Sequence, residues 1–291
     1  MFEGVFPALI TPFNADNKID VASFKHVVEY VEKGGVAGVV ACGTTGESAT
    51  MSTLEHMDLI DLTVDCANTT VIAGTGSNNT TEAVELTRHA YDAGADAVLI
   101  ISPYYNKPNN AGLIAHFSSI ARCADIPVIL YNVPSRTGQD MPLEVITELA
   151  KIENIVGIKE ASGNPVKVSR IIENTMDDDF VVLSGEDGLT LPLMCMGAVG
   201  VISVVANVVP EKMVDLVNAV QNNDLQTAKA LHYELAPLTR VLFSETNPIP
   251  VKRAMNMLGL ANGRLRLPLA PLSRENEMVL EEVLKDLGCI S

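Results

Sequence analysis

Eight short, uninterrupted apolar runs separated by amphipathic segments predict an α/β chain: a closed (β/α)8 TIM barrel followed by a C-terminal helical extension. The runs are Val5–Thr11, Val36–Cys42, Val71–Thr75, Asp96–Ser102, Pro127–Asn132, Ile155–Lys159, Phe180–Ser184 and Val199–Val204. They do not alternate with polar residues, so both faces of each strand are expected to be buried, as in a parallel sheet. Run starts recur every ~20–35 residues, the length of one βα unit. A doubly wound sheet would carry a glycine-rich phosphate turn after its first strand. Here the first run ends in Thr11-Pro12-Phe13.

The segments between the runs carry helix punctuation. Asp20 is placed to cap a helix burying Phe24, Val27, Val28 and Val31, which stops at Gly34-Gly35. Asn79 with Glu82 resembles a capping box, and the helix it opens runs to Gly94. Asn164-Pro165 reads as an N-cap followed by proline at the first helical position, with Val168, Ile171 and Ile172 on the apolar face. After about residue 223 the strand runs cease. Leu225, Ala228, Leu231, Leu235, Leu238 and Leu242 keep helical spacing, with a kink expected at Pro237. Val251, Ala254, Met255 and Leu258 form a second stripe; Val279, Leu280, Val283, Leu284 and Leu287 form a third. The expected division is a catalytic barrel over 1–223 and a helical region over 224–291 packed on it.

Composition narrows the function classes. An apolar fraction of 47% is too high for disorder. A net charge of −16 with no Lys/Arg cluster argues against nucleic acid and anionic membranes as partners. No run approaches the ~18–20 apolar residues of a membrane helix. The first residues show no secretory signal pattern, and five widely spaced cysteines without a C-x-x-C read as thiols of a reducing compartment, so a cytoplasmic location is expected. The five histidines show no H-x-H or H-E-x-x-H spacing, and no catalytic metal is expected.

In such a barrel the reactive groups gather at the C-terminal ends of the strands. The second run ends in Gly43-Thr44-Thr45-Gly46-Glu47-Ser48, and the fourth in Pro103-Tyr104-Tyr105-Asn106. The fifth leads into Tyr131-Asn132-Val133-Pro134-Ser135-Arg136-Thr137-Gly138, the sixth into Lys159-Glu160, the seventh into Ser184-Gly185 and the eighth into Ile202-Ser203. Lys159 follows Ile155-Val156-Gly157-Ile158 and is expected inside an apolar barrel. An amine attacks a carbonyl only when neutral, and apolar enclosure favours the neutral form. The competing reading, a lysine paired with a neighbouring carboxylate or reaching out to solvent, is disfavoured by the tyrosines and threonines that share its rim.

The other rim residues support this chemistry. Backbone N–H groups and two hydroxyls make Gly43-Thr44-Thr45-Gly46 a candidate cradle for a small carboxylate or phosphate, or else an ordinary glycine turn. Tyr131 is a candidate proton relay, with Tyr105 extending it to solvent, though both residues also suit plain packing. Arg136 has no carboxylate beside it in sequence and can grip a substrate carboxylate or join a surface ion pair. Gly74-Thr75-Gly76 lacks the third glycine of a dinucleotide fingerprint and reads as a turn.

Taken together, Gly43-Thr44-Thr45-Gly46-Glu47-Ser48, Tyr131 through Gly138, Gly157-Ile158-Lys159-Glu160-Ala161 and Asn247-Pro248-Ile249-Pro250-Val251-Lys252 resemble the dihydrodipicolinate synthase family over the whole chain. The resemblance implies a lyase that condenses pyruvate with L-aspartate 4-semialdehyde in the diaminopimelate route to lysine. It needs no cofactor beyond a Schiff base of pyruvate on Lys159. By the same resemblance Thr44 and Thr45 hold the pyruvate carboxylate, and Thr45 relays protons with Tyr131 and Tyr105. Arg136 takes the second carboxylate, and Gly185 and Ile202 add backbone contacts. A homotetramer of two tight dimers is implied, with Tyr105 reaching into the neighbouring site. Ser48, Ala49, His56, Asn78, Glu82 and Tyr104 match a lysine-effector site, from which Thr53 departs because sensitive members often carry histidine there.

Two other readings remain. The first is another pyruvate-imine enzyme, such as N-acetylneuraminate lyase or a 2-keto-3-deoxy-sugar aldolase, in which the arginine of Ser135-Arg136-Thr137-Gly138 is typically missing. The second is a ligand sensor that kept the barrel without the chemistry.

Overall fold

The computed structural model describes residues 2–291. Its eight strands are β1 (Gly4–Pro7), β2 (Gly38–Ala41), β3 (Thr70–Gly74), β4 (Ala97–Ile101), β5 (Val128–Asn132), β6 (Ile155–Glu160), β7 (Val181–Ser184) and β8 (Gly200–Ser203). All pair in parallel, each with its sequence neighbour, and β8 pairs with β1. The ring closes between β1 and β2 through the Ala37 N–H to Val5 O and the Leu9 N–H to Val40 O, both 2.9 Å. This is the (β/α)8 barrel that the apolar runs predict.

Helices α1 (Val21–Lys33), α2 (Thr53–Cys66), α3 (Thr80–Ala93) and α4 (Asn110–Ala121) follow β1 to β4. A single turn, α5 (Pro134–Thr137), and α6 (Leu143–Leu149) follow β5. Next come α7 (Pro165–Thr175), α8 (Thr190–Cys195) and α9 (Pro210–Gln221), after β6, β7 and β8. Three more helices complete the chain, α10 (Leu225–Leu242), α11 (Ile249–Met257) and α12 (Arg274–Asp286).

Side chains along the strands alternate between two apolar layers, because successive Cβ atoms point to opposite faces. The alternation breaks at the register shift between Ile155 and Gly157 in β6. Phe6, Val40, Ile72, Leu99, Ile129, Leu183 and Ile202 fill the barrel interior. Val5, Val39, Val71, Val98, Leu130, Ile158 and Val201 face the helices, where α1 contributes Phe24, Val27, Val28 and Val31. Close approach at the β1–β8 seam requires Gly200, since a Cβ there would collide with the Gly4 backbone. Asp20 and Asn164 cap α1 and α7 through Ser23 N and Lys167 N.

Several local expectations change. The strands are shorter than the apolar runs, and after β1 the chain leaves the ladder where Asn207 Oδ1 takes the Ile10 N–H at 3.2 Å. Asn79 caps α3 through Thr81 N, but Glu82 forms no capping box. Its carboxylate instead accepts from the Ser77 hydroxyl at 2.5 Å, while Ser77 Oγ takes the Asn79 N–H at 3.1 Å. The helix α10 continues through Pro237, and Val279 lies 45% exposed beside the buried stripe of Leu280 and Leu284.

Candidate active site

Alternation along β6 decides which way its two charged residues face. Ile158 packs on the helices, so Lys159 points into the barrel and Glu160 points out. Glu160 accepts from Asn132 Nδ2 at 2.9 Å and from the Ser162 N–H at 2.7 Å, with Lys167 Nζ 3.8 Å away. That network satisfies Glu160 behind the strand and leaves Lys159 to itself. Lys159 is 7% exposed and belongs to none of the ion pairs among the described residues. Its Nζ lies 4.4 Å from the ring centroid of Tyr131, the residue paired with it in register on β5.

A cavity of about 130 Å³ opens over this pair, lined also by Thr44, Thr45, Arg136 and Gly185. Gly185 is needed for space: a Cβ there would lie 2.6 Å from Ala161 Cβ and 3.1 Å from Lys159 Cε. After β2 the loop turns back on itself, and the Gly46 and Glu47 N–H groups bond to Gly43 O and Thr44 O, each at 3.1 Å. The cradle expected from four residues is thus narrower. The Gly43, Thr44 and Thr45 N–H groups have no internal partner among the described residues, and those of Thr44 and Thr45 stand beside the two hydroxyls. Two adjacent free donors and two hydroxyls suit a carboxylate.

Arg136 stands on α5, begun by Pro134 and ended by Gly138 at φ +71°. It has no ion pair among the described residues; its Nη2 donates to Asn247 O at 3.2 Å. Glu186 also lines the cavity. Burial and the neighbouring Asp187 push its carboxyl above the usual range, against the pull of Lys159 and Arg136.

The remaining expected residues are placed differently. Ile202 is buried inside the barrel and does not line the cavity. Tyr105 is 89% exposed at φ +71°, and the single chain does not bring it to Tyr131 and Thr45. A second cavity of about 320 Å³ adjoins the first, and the two share Gly43, Thr44, Leu99, Tyr131 and Arg136 as a common wall. It is lined by Ser48, Ala49, His56, Glu82 and Tyr104, together with Thr53. Asn78 does not line it but donates to Tyr104 O at 3.1 Å, holding the turn that presents Tyr104. His56 Nε2 lies 2.7 Å from Gly74 O, and burial holds its imidazole below the ordinary range.

The C-terminal region contributes more to the site than its stripes indicate. Asn247 lines the smaller cavity, and its Nδ2 donates to Thr45 Oγ1 at 2.9 Å. Lys252 and Glu47 form a buried ion pair at 2.5 Å. Burial holds the Lys252 amine down at about 8, against the opposing pull of Glu47. The motif Asn247 to Lys252 was the available signal, but nothing local in it indicates that it touches Thr45 and Glu47.

Among the described residues no group of three His, Cys, Asp or Glu side chains could hold a metal ion, and no helix is long and apolar enough to cross a membrane.

An unpaired lysine at a strand end of a (β/α)8 barrel, set over a tyrosine beside a carboxylate cradle, is the layout of an imine-forming aldolase-type lyase. Comparison with known proteins agrees. The model of the Dihydrodipicolinate synthetase family matches residues 1–287. A 4-hydroxy-tetrahydrodipicolinate synthase of Methanococcoides burtonii is 66% identical over 290 residues, covering 100% of both chains. The crystal structure of the chloride-inhibited dihydrodipicolinate synthase from Acinetobacter baumannii, complexed with pyruvate, superposes with a TM-score of 0.97 at 42% identity, over 100% of each chain. The lysine-bound enzyme from Cyanidioschyzon merolae does so at 0.96 and 36%, over 99% of each. The chain belongs to the Dihydrodipicolinate synthetase family.

Proposed function

We propose that this chain condenses pyruvate with L-aspartate 4-semialdehyde, the 4-hydroxy-tetrahydrodipicolinate synthase reaction of lysine and diaminopimelate synthesis. The observation that carries the reading is the unpaired Lys159 amine, enclosed 4.4 Å from the Tyr131 ring in a cavity with free Thr44 and Thr45 N–H groups.

Lys159 attacks the keto carbon of pyruvate and water leaves, giving an imine whose protonated nitrogen acts as the electron sink. No external cofactor is required. Thr44 and Thr45 hold the carboxylate, and the Tyr131 hydroxyl carries the protons of dehydration and enamine formation with the Thr45 hydroxyl. Loss of a methyl proton gives the enamine, which attacks the aldehyde of the second substrate while Arg136 binds that substrate's carboxylate. The amino group of the adduct then displaces Lys159 by transimination and closes the ring. Gly185 leaves room for the lysine stem. A sugar aldolase has no second carboxylate for Arg136 to bind, which favours the amino-acid aldehyde.

The working form is a cytoplasmic homotetramer of two tight dimers. The exposed Tyr105, held in the left-handed region of backbone space, completes the relay in a neighbouring subunit. The larger cavity takes lysine as an effector through Ser48, Ala49, His56, Asn78, Glu82 and Tyr104. With Thr53 on its wall, inhibition is weaker than in members with histidine there.

Borohydride reduction in the presence of pyruvate, followed by peptide mapping, is expected to place the adduct on Lys159, with turnover once the semialdehyde is added. An unmodified Lys159, or an adduct without condensation, rejects the reading.

A further inference from the structure

Asn247 lies just before α11, far along the chain from the barrel loops, yet it meets two groups of the site at once. Its side-chain Nδ2 donates to Thr45 Oγ1 at 2.9 Å, and its backbone carbonyl accepts from Arg136 Nη2 at 3.2 Å. A hydroxyl has one proton and two acceptor positions. An amide donor on one acceptor position leaves the Thr45 proton free to be given elsewhere. The same segment is pinned to the Thr45 loop by a second contact. Lys252 grips Glu47, two residues beyond Thr45, and the Arg266 N–H bonds the other oxygen of Glu47 at 3.1 Å.

Stability alone is a poor explanation of the Asn247 side chain. It is 6% exposed, and its Oδ1 is buried without a hydrogen-bond partner among the described residues. A buried unpaired amide oxygen is costly, and a shorter side chain would avoid that cost.

We propose that Asn247 is a positioning residue of the reaction: its amide holds the Thr45 hydroxyl with its proton directed to the relay, so the C-terminal helical region is part of the active site. The inference rests on the condensation proposed above, and it acts on the proton-transfer steps rather than on binding. Thr45 is the residue through which it acts. Arg136 keeps its backbone partner when the side chain is changed.

The test is a double-mutant cycle with Asn247→Ala and Thr45→Val, measured by steady-state kinetics with both substrates. Asn247→Ala is expected to lower kcat by about 10-fold, the scale of one lost hydrogen bond, with KM for the semialdehyde changed less than about threefold. In the Thr45→Val background the same change is expected to cost less than about twofold, because the group it positions is gone. Asn247→Asp keeps the shape but cannot donate, and is expected to lose kcat like the alanine variant, with a melting temperature near that of the native chain. A kcat loss of less than about fivefold in both variants, or an undiminished loss on top of Thr45→Val, overturns the proposal while the reaction stands. Absence of condensation by the native chain removes the reaction itself, and this inference with it.

Discussion

Lys159 and Tyr131 are register partners on adjacent strands, and the lysine Nζ lies 4.4 Å from the centre of the tyrosine ring. The pairing places a hydroxyl-bearing ring beside the nucleophile without any loop having to move. Tyr131→Phe keeps the ring and removes the proton carrier. It is expected to lower kcat by about 10²–10⁴-fold, with the pyruvate KM little changed and the pyruvate adduct on Lys159 still trappable after long incubation. Stopped-flow and steady-state assays check this, and an unchanged kcat removes Tyr131 from the relay.

Arg136 spends one N–H on the Asn247 carbonyl and leaves the rest of its fork free. Arg136→Ala is expected to raise KM for the semialdehyde about 10- to 100-fold, the worth of a charge-assisted hydrogen bond, and to spare pyruvate. Measuring both KM values decides it: an equal rise for the two substrates contradicts the assigned role.

At Gly185 the fold has no room for a methyl group, because Ala161 Cβ and Lys159 Cε already close around the site. Gly185→Ala is expected to cost about 1–3 kcal/mol of stability through overpacking. Displacing the amine by a fraction of an ångström is expected to lower kcat/KM about 10²-fold. Denaturant melts and kinetics together test the point, and a variant with native kinetics means Lys159 is not constrained there.

Acid stability follows from His116 on α4. The imidazole is 6% exposed, and burial lowers its pKa from 6.5 to about 4. Nδ1 meets Thr80 Oγ1 at 2.9 Å. The unfolded chain therefore takes up a proton below pH 6.5 that the folded chain refuses until about pH 4. The stability present above 6.5 is thus lost as the pH falls through that window. Urea midpoints measured between pH 7 and 4 are expected to fall less steeply in His116→Gln than in the native chain. Parallel curves would show that His116 is not the group responsible.

Pyruvate is an anion approaching a chain of net charge −16, whereas the semialdehyde is a zwitterion with no net charge. Long-range repulsion of this kind is screened by salt. Raising ionic strength from a low value is expected to increase kcat/KM for pyruvate several-fold with a non-inhibitory salt and to leave that for the semialdehyde less changed. A decrease for pyruvate argues that the local field around Lys159 and Arg136 dominates.

The barrel was legible because burial on both faces leaves uninterrupted β-branched runs, and because helix caps such as Asp20 and Asn164 are local devices. For the same reason Lys159 stood out, as a charge ending an apolar strand. The capping box that Asn79 and Glu82 suggest does not form, because Glu82 accepts from the Ser77 hydroxyl, a bond that the residue types alone leave open. Tyr105 reads from its place on the rim as a relay residue, and Ile202 enters the site through the resemblance. In the single chain Tyr105 is in solvent and Ile202 lies inside the barrel, positions that a strand-end motif alone does not specify.

By itself the sequence determined the eight-fold alternation of strand and helix, the rim on which the reactive residues stand, and the kind of chemistry they support. Those properties depend on periodicity and residue type within a few positions of each other. The sequence also places Lys159 inside the barrel. Only the tertiary structure decided that Glu160 faces a network of its own behind the strand, since a run apolar on both sides carries no mark of which face its neighbour takes. It also joined Asn247 to Thr45 across 202 residues and Lys252 to Glu47 across 205. Contacts between residues so far apart leave no local pattern, because they exist only once the barrel has closed.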